Sequence, residues 1–333
     1  MARTGIAANL EDSVNRRLIP YLKEHGWRPA TIPYTGYGNA DTLRVLARVL
    51  LRAPDDTAPA AADVGATSRE LAEAEEAERG WQSFLTAPVA YLPVAVEIGG
   101  RTHQARADRG GYLDVLVPDH GLPAGRHEIS VHARGAKPVT AQVLVIGPET
   151  RVGIVSDIDD TVMVTRVPRP LVAAWNTFVR HTTARQPVPG MAELFRRLGS
   201  ALPGAPVFYL STGAWNVVPA LERFFRRSGL PTGPMLMTDW GPTNTGWFRS
   251  GQEHKRTTLR RLLIDFPHVR WLLIGDDGQH DPEIYAELAR EHPDRVVAIG
   301  IRRLTAGEHV LAHGTPQASD MGKGHDGGRV SGR

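Results

Sequence analysis

Four short apolar runs constrain the second half of this chain: Val152–Ser156, Val207–Ser211, Trp271–Gly275 and Val296–Ile301. Helical stretches at Met191–Leu198, Val217–Arg227 and Thr257–Asp265 lie between them. Buried strands that alternate with helices form a parallel sheet, because a parallel connection needs a crossover long enough to hold a helix. The expected fold class is therefore α/β, with helices on both faces of the sheet. Functional groups in such sheets gather at the carboxyl ends of the strands.

The preceding region has a different texture. Val89–Ile98, Tyr112–Val117, His127–Ala133 and Val139–Ile146 are strand-like runs separated by Gly and Pro turns, which predicts a small antiparallel β-sandwich over residues 81–147. Residues 1–80 read as N-terminal helices and a linker. One helix is expected over Asp12–Glu24, and another, capped by Asn39 or Asp41, carries Leu43, Leu46, Ala47 and Leu50. Gly36-Tyr37-Gly38 reads as a turn, Ala53–Ala66 as a linker and Ser68–Arg79 as a solvated acidic helix. The α/β domain is expected over residues 148–304. The stretch 305–333, rich in Gly, His and Asp, reads as a disordered tail.

Composition removes several function classes. The chain has no cysteine, so thiolate catalysis and Cys-ligated zinc are excluded. A net charge of +3 gives no reason to expect a nucleic-acid partner. No run has the length of a membrane span, and the charged segment Met1–Leu18 lacks a signal-peptide core. A cytoplasmic protein is expected, compatible with peripheral membrane contact.

The strand tips carry the chemistry. The first strand runs into Asp157-Ile158-Asp159-Asp160-Thr161, the second into Ser211-Thr212-Gly213, and the third into Gly275-Asp276-Asp277 and then Asp281. His254-Lys255-Arg256 opens a helix between the last two. Clustered carboxylates at a buried tip need a positive compensator, and hard oxygen ligands suit Mg2+. These residue types fit phosphoryl transfer through an aspartyl-phosphate. Mg2+ on Asp157 and Asp276 would mask the charge of the nucleophile, Lys255 and Ser211 would bind phosphate oxygens, and Asp159 would serve as acid and then base. Taken singly, Ser211 reads as a helix cap, Lys255 as a solvated lysine and Asp281 as a cap before Pro282. Acid pair, Ser/Thr, Lys and acid pair nevertheless occur in that order, three of the four after apolar strands, and their joint occurrence favours the site.

With those motifs the chain resembles the haloacid-dehalogenase-like phosphatases. More narrowly, it resembles the catalytic domain of the actin-patch phosphatidate phosphatase family, related to the lipins. The resemblance rests on Ser156–Val162, Thr238-Asp239-Trp240-Gly241, Phe248–Lys255 and Ile274–Tyr285, and covers about Val152 to Arg302. It implies Asp157 as nucleophile, Asp159 as acid/base, and Ser211 and Lys255 as phosphate binders. It also implies Asp276 as a metal ligand helped by the carbonyl of Asp159. Thr161 and Thr212 complete the candidate substrate-binding set, and Asp159 and Asp277 the candidate metal set. Two departures stand out. Ser211-Thr212-Gly213-Ala214-Trp215 replaces the family's Ser-x-Ser-Pro-Trp, and Asp277 occupies a position where Ser is usual.

The reading that follows is a Mg2+-dependent phosphatidate phosphatase converting phosphatidic acid to diacylglycerol and phosphate. One alternative keeps the mechanism but takes a soluble phosphomonoester or a phosphoprotein. Another is a non-catalytic phosphatidic-acid-binding module, which would not need the pair Asp157 and Asp159. The connections between the strand tips leave little room for a lid, which suits a bulky substrate. Trp240, Trp247 and Phe248, with Arg249, are candidates for resting at a lipid interface from a loop before Lys255. Oligomeric state is not legible in the sequence.

Overall fold

The computed structural model describes residues 20–22, 24–53, 87–164, 186–238, 247–278 and 280–305, with the side chains of 247–250 outside the description. Among these residues the chain forms a mixed seven-stranded sheet followed by a parallel five-stranded sheet with helices. The expected linker, the acidic helix, most of the Asp12–Glu24 helix, Trp240 and most of the tail lie outside the described residues.

The first sheet contains β1 (Arg28–Gly38), β2 (Thr42–Arg52), β3 (Pro93–Ile98), β4 (Arg101–Arg106), β5 (Tyr112–Pro118), β6 (Gly125–Ala133) and β7 (Val139–Val145). Its order is β4-β3-β6-β7-β1-β2-β5, with β1 and β7 parallel and the other neighbours antiparallel. The sequence predicted separate sandwich sheets. Instead, one continuous sheet curls until its edge strands β4 and β5 approach each other, around a core that includes Leu43, Val45, Val49, Val94, Val96, Leu113, Val131 and Val143.

Two local expectations are corrected by the structure. The segment expected to be a helix after Asn39 is β2. Leu43, Val45, Ala47, Val49 and Leu51 fill the curled core at period two, while Leu46 on the opposite face joins the core of the second sheet. Burial on both faces places apolar residues at Leu46 and Leu50 as well as on the core face, so a helical spacing appears and tertiary packing overrides the propensity of Leu, Ala and Arg. Asn39 does cap, but it caps a hairpin: its Oδ1 accepts from the backbone N–H of Asp41 and of Thr42, each at 2.9 Å. Gly36 and Gly38 end β1 rather than forming a turn. A Cβ at Gly36 would sit 2.5 Å from the Arg44 carbonyl oxygen and one at Gly38 2.1 Å from that of Thr42, so close backbone approach explains the glycines.

The second sheet contains β8 (Val152–Ser156), β9 (Val207–Ala214), β10 (Met235–Thr238), β11 (Arg270–Asp276) and β12 (Val296–Arg302). All neighbours are parallel in the order β10-β9-β8-β11-β12. Between the strands lie α1 (Met191–Ala201), α2 (Val218–Arg227), α3 (Trp247–Asp265) and α4 (Asp281–Glu291). Trp247 and Phe248 therefore open α3 instead of lying in a loop. Adjacent side chains on a strand point to opposite faces. Tyr209 meets Phe195 of α1 and Phe225 of α2, whereas Phe208 meets Phe266, just past α3. Helices thus cover both faces, as expected.

The two sheets meet on the α3 face. Tyr37 of β1 stands edge-on to Phe208 at 5.2 Å and packs against Phe266, Tyr34 packs on Trp215, and Asn39 Nδ2 donates to the Asp265 carbonyl at 2.8 Å. Tyr34, Tyr37 and Leu46 belong to the same core as the α/β strands. Truncating one of the core's buried aromatics would cost about 3–5 kcal/mol.

Candidate active site

The order of the parallel sheet reverses at β8, whose neighbours β9 and β11 run on in opposite directions, and ligands bind at such switch points. The β8 tip delivers Asp157, the β11 tip Asp276, and the first turn of α4 Asp281. These three buried carboxylates place an oxygen each within 4.8 Å of one another. Lys255, on α3, reaches into the same group. Its Nζ donates to Asp157 Oδ1 at 2.6 Å and to Asp281 Oδ1 at 2.5 Å, and all three side chains are at most 3% exposed. Asp281 approaches because position 275 is glycine: a Cβ there would lie 2.6 Å from Asp281 Oδ2 and 2.9 Å from the Tyr285 ring.

One ammonium does not balance three carboxylates. Burial pushes Asp276 up to about 7, with Asp281 adding to the rise and Lys255 opposing it. Burial likewise raises Asp157 well above the usual carboxylate range, against the pull of Lys255. Burial alone would lower Lys255, but Asp157 and Asp281 together hold it above its ordinary value. The Oδ2 atoms of Asp157 and Asp281 are buried and have no hydrogen-bond partner among the described residues. A buried, unpartnered carboxylate oxygen costs free energy unless something positive meets it. The donor set is all hard oxygen, so these residues fit a divalent cation such as Mg2+.

The other candidates surround this group. Thr161 is buried and its Oγ1 donates to Asp276 Oδ2 at 3.3 Å, so it tethers a carboxylate where the sequence suggested substrate binding. Ser211 Oγ donates to Asp159 Oδ2 at 3.2 Å and accepts from Gly213 N at 2.9 Å; it lies within β9 and caps no helix. Asp159 is half-buried beside it, outside the three-carboxylate group. Thr212 is half-buried, and its Cγ2 would meet a Cβ at Gly251 of α3 at 3.1 Å. Asp277 lies outside the group as well, and its Oδ1 accepts from Leu304 N at 2.8 Å. Asp281, named by the sequence among the strand-tip acids but not in the metal set, is the third member of the group. Its position before Pro282 suggests a cap, yet its carboxylate turns to Lys255.

Residues 152–303 match the family described as phosphatidate phosphatase APP1, catalytic domain. An uncharacterized protein of Schizosaccharomyces pombe is 29% identical over 152 residues, which cover 45% of this chain and 25% of that protein. Phosphatidate phosphatase APP1 of Saccharomyces cerevisiae is 26% identical over 152 residues, covering 45% of this chain and 26% of the enzyme. The matched part thus spans about a quarter of each relative. Solved structures resembling the chain include a carbohydrate acetylesterase from Xanthomonas citri, 12% identical with a TM-score of 0.27, covering 84% of this chain and 74% of that one. Another is a flavohemoglobin from Malassezia yamatoensis, 9% identical with a TM-score of 0.20, covering 87% and 63%. Likenesses of that size carry no argument about this chain. The sequence matches do: residues 152–303 are similar to the catalytic domain of the phosphatidate phosphatase APP1 family.

Proposed function

We propose that this site hydrolyses phosphatidate to diacylglycerol and inorganic phosphate, on a haloacid-dehalogenase-like α/β domain and with Mg2+. The observation that carries the reading is the buried group of Asp157, Asp276 and Asp281 around Lys255, with two carboxylate oxygens unpartnered. The match of residues 152–303 to the phosphatidate phosphatase APP1 family supports the lipid substrate.

Asp157, Asp276 and Asp281 would hold the cation, with Asp159 beside them. When bound, Mg2+ supplies positive charge that offsets repulsion between an anionic nucleophile and an anionic phosphate. Asp157 attacks phosphorus, forming an acyl-phosphate bond as the bond to the glycerol oxygen breaks. Asp159, aimed by Ser211, gives its proton to that oxygen and diacylglycerol leaves. Asp159 then takes a proton from water, the water oxygen attacks phosphorus, and phosphate departs with Asp157 restored. Lys255 stays protonated throughout and meets the charge on the phosphoryl oxygens.

Among the described residues no helix is long and apolar enough to cross a membrane. Phosphate release from phosphatidate in mixed micelles, beside a soluble phosphomonoester, tests the reading. Preference for the lipid supports it. Turnover of the soluble ester alone would move the substrate to that class.

A further inference from the structure

The end of β12 touches both loops that carry the acidic groups. After β8, the chain turns at Asp160, whose φ of 57° is in the left-handed region. Asp160 N donates to the Met163 carbonyl at 2.8 Å, and the Asp160 carbonyl accepts from Arg302 Nη1 at 2.5 Å. After β11, Asp277 N donates to the Arg302 carbonyl at 3.0 Å, and Asp277 Oδ1 accepts from Leu304 N at 2.8 Å. Gly278 lies so close that a Cβ there would be 2.2 Å from Leu304 Cδ1. Arg302 therefore joins one acidic loop by its main chain and the other by its guanidinium.

We propose that Arg302 is a positioning residue that aims Asp159 through the Asp160 peptide, an inference resting on the acid/base role given to Asp159 above. Asp159 and Asp160 are adjacent in the chain, and the Asp160 carbonyl sits on a turn that few residues adopt. Fixing that carbonyl fixes the backbone from which the Asp159 side chain projects. A proton transfer depends on such placement, since small errors in the donor's position cost rate steeply. Arginine suits this role because its planar guanidinium holds its donors in a fixed fork.

The test compares kcat/KM for an alkyl phosphomonoester, whose leaving oxygen needs a proton, with that for p-nitrophenyl phosphate, whose leaving group does not. Arg302→Met should lower the alkyl value about 10–100-fold and the aryl value by no more than about threefold, with the melting temperature followed alongside. Arg302→Lys guards against misfolding and should recover part of the alkyl rate. In an Asp159→Asn background, Arg302→Met should cost almost nothing further, because the residue it aims is gone. Equal losses on both substrates, or the same loss with and without Asp159, would make Arg302 a structural strut and overturn the proposal. A wild-type protein that releases phosphate from neither ester nor from phosphatidate in mixed micelles would instead overturn the reaction itself, and this inference with it.

Discussion

The two sheets share aliphatic strands and a common boundary, yet they treat polar side chains oppositely. In the curled sheet and its loops, the buried polar residues among those described are Thr31 and His120. His120 is met locally, through Nε2 with the Asn39 carbonyl at 2.8 Å and Nδ1 with Leu122 N at 3.1 Å. The parallel sheet and its helices bury Ser156, Asp157, Thr161, Ser211, Lys255, Asp276 and Asp281. Three carboxylates against one ammonium are a poor route to stability, since desolvation offsets what pairing returns. The difference teaches that the second sheet carries a cost that folding does not explain, and chemistry at the strand tips does.

The largest effect should come from removing the nucleophile. Asp157→Asn changes volume little, so turnover should fall by at least about 10^3-fold while the melting temperature holds or rises. A variant with near wild-type turnover would end the covalent mechanism. Removing the compensating charge should strike stability instead. Lys255→Met leaves the carboxylates facing one another, at a cost of about 3–5 kcal/mol in metal-free buffer, and added Mg2+ should return part of it. Denaturant unfolding with and without the ion measures both.

A pH series sharpens the same contrast. Asp276 holds its proton to about 7 in the folded state against an ordinary 3.8. Across that window the unfolded chain has released a proton that the folded chain keeps. Metal-free stability should therefore fall as pH rises from about 4 to 7, and Mg2+ should flatten the slope. A slope of the opposite sign would contradict the burial argument.

At the boundary between the sheets, Leu46→Ala should cost about 2–4 kcal/mol by opening a cavity in the shared core. Activity measured well below the melting temperature should change little. The smallest effect belongs to the surface of the curled sheet. Arg44 and Asp114 form an ion pair at 2.5 Å with side chains 19% and 48% exposed, so Asp114→Asn should cost no more than about 1 kcal/mol. A larger loss would mean that this sheet, too, depends on charge.

The same contrast explains what the sequence revealed. The strands around the site were legible because their apolar runs stop at a polar tip, and Asp157, Ser211 and Asp276 stand at or near those tips, while Lys255 reaches them from α3. β2 was not, because burial on both faces erased its alternation and left a helical spacing in its place. β4 was not either: its pattern is largely exposed, so Arg101–Arg106 offers no apolar signal. Within the site, residue types pointed to a carboxylate group, but which aspartates gather in it depends on side-chain direction. Asp281 and Asp277 are separated by how the chain turns after β11, where Asp277 bonds to Arg302 and Leu304, residues distant in sequence but adjacent at the end of β12.

The most direct test of the mechanism is phosphate release from phosphatidate by the purified chain, measured with Mg2+, with EDTA, and for Asp157→Asn. The mechanism predicts release that requires Mg2+ and disappears in the variant. Release that persists in EDTA, or that survives the loss of Asp157, would contradict it.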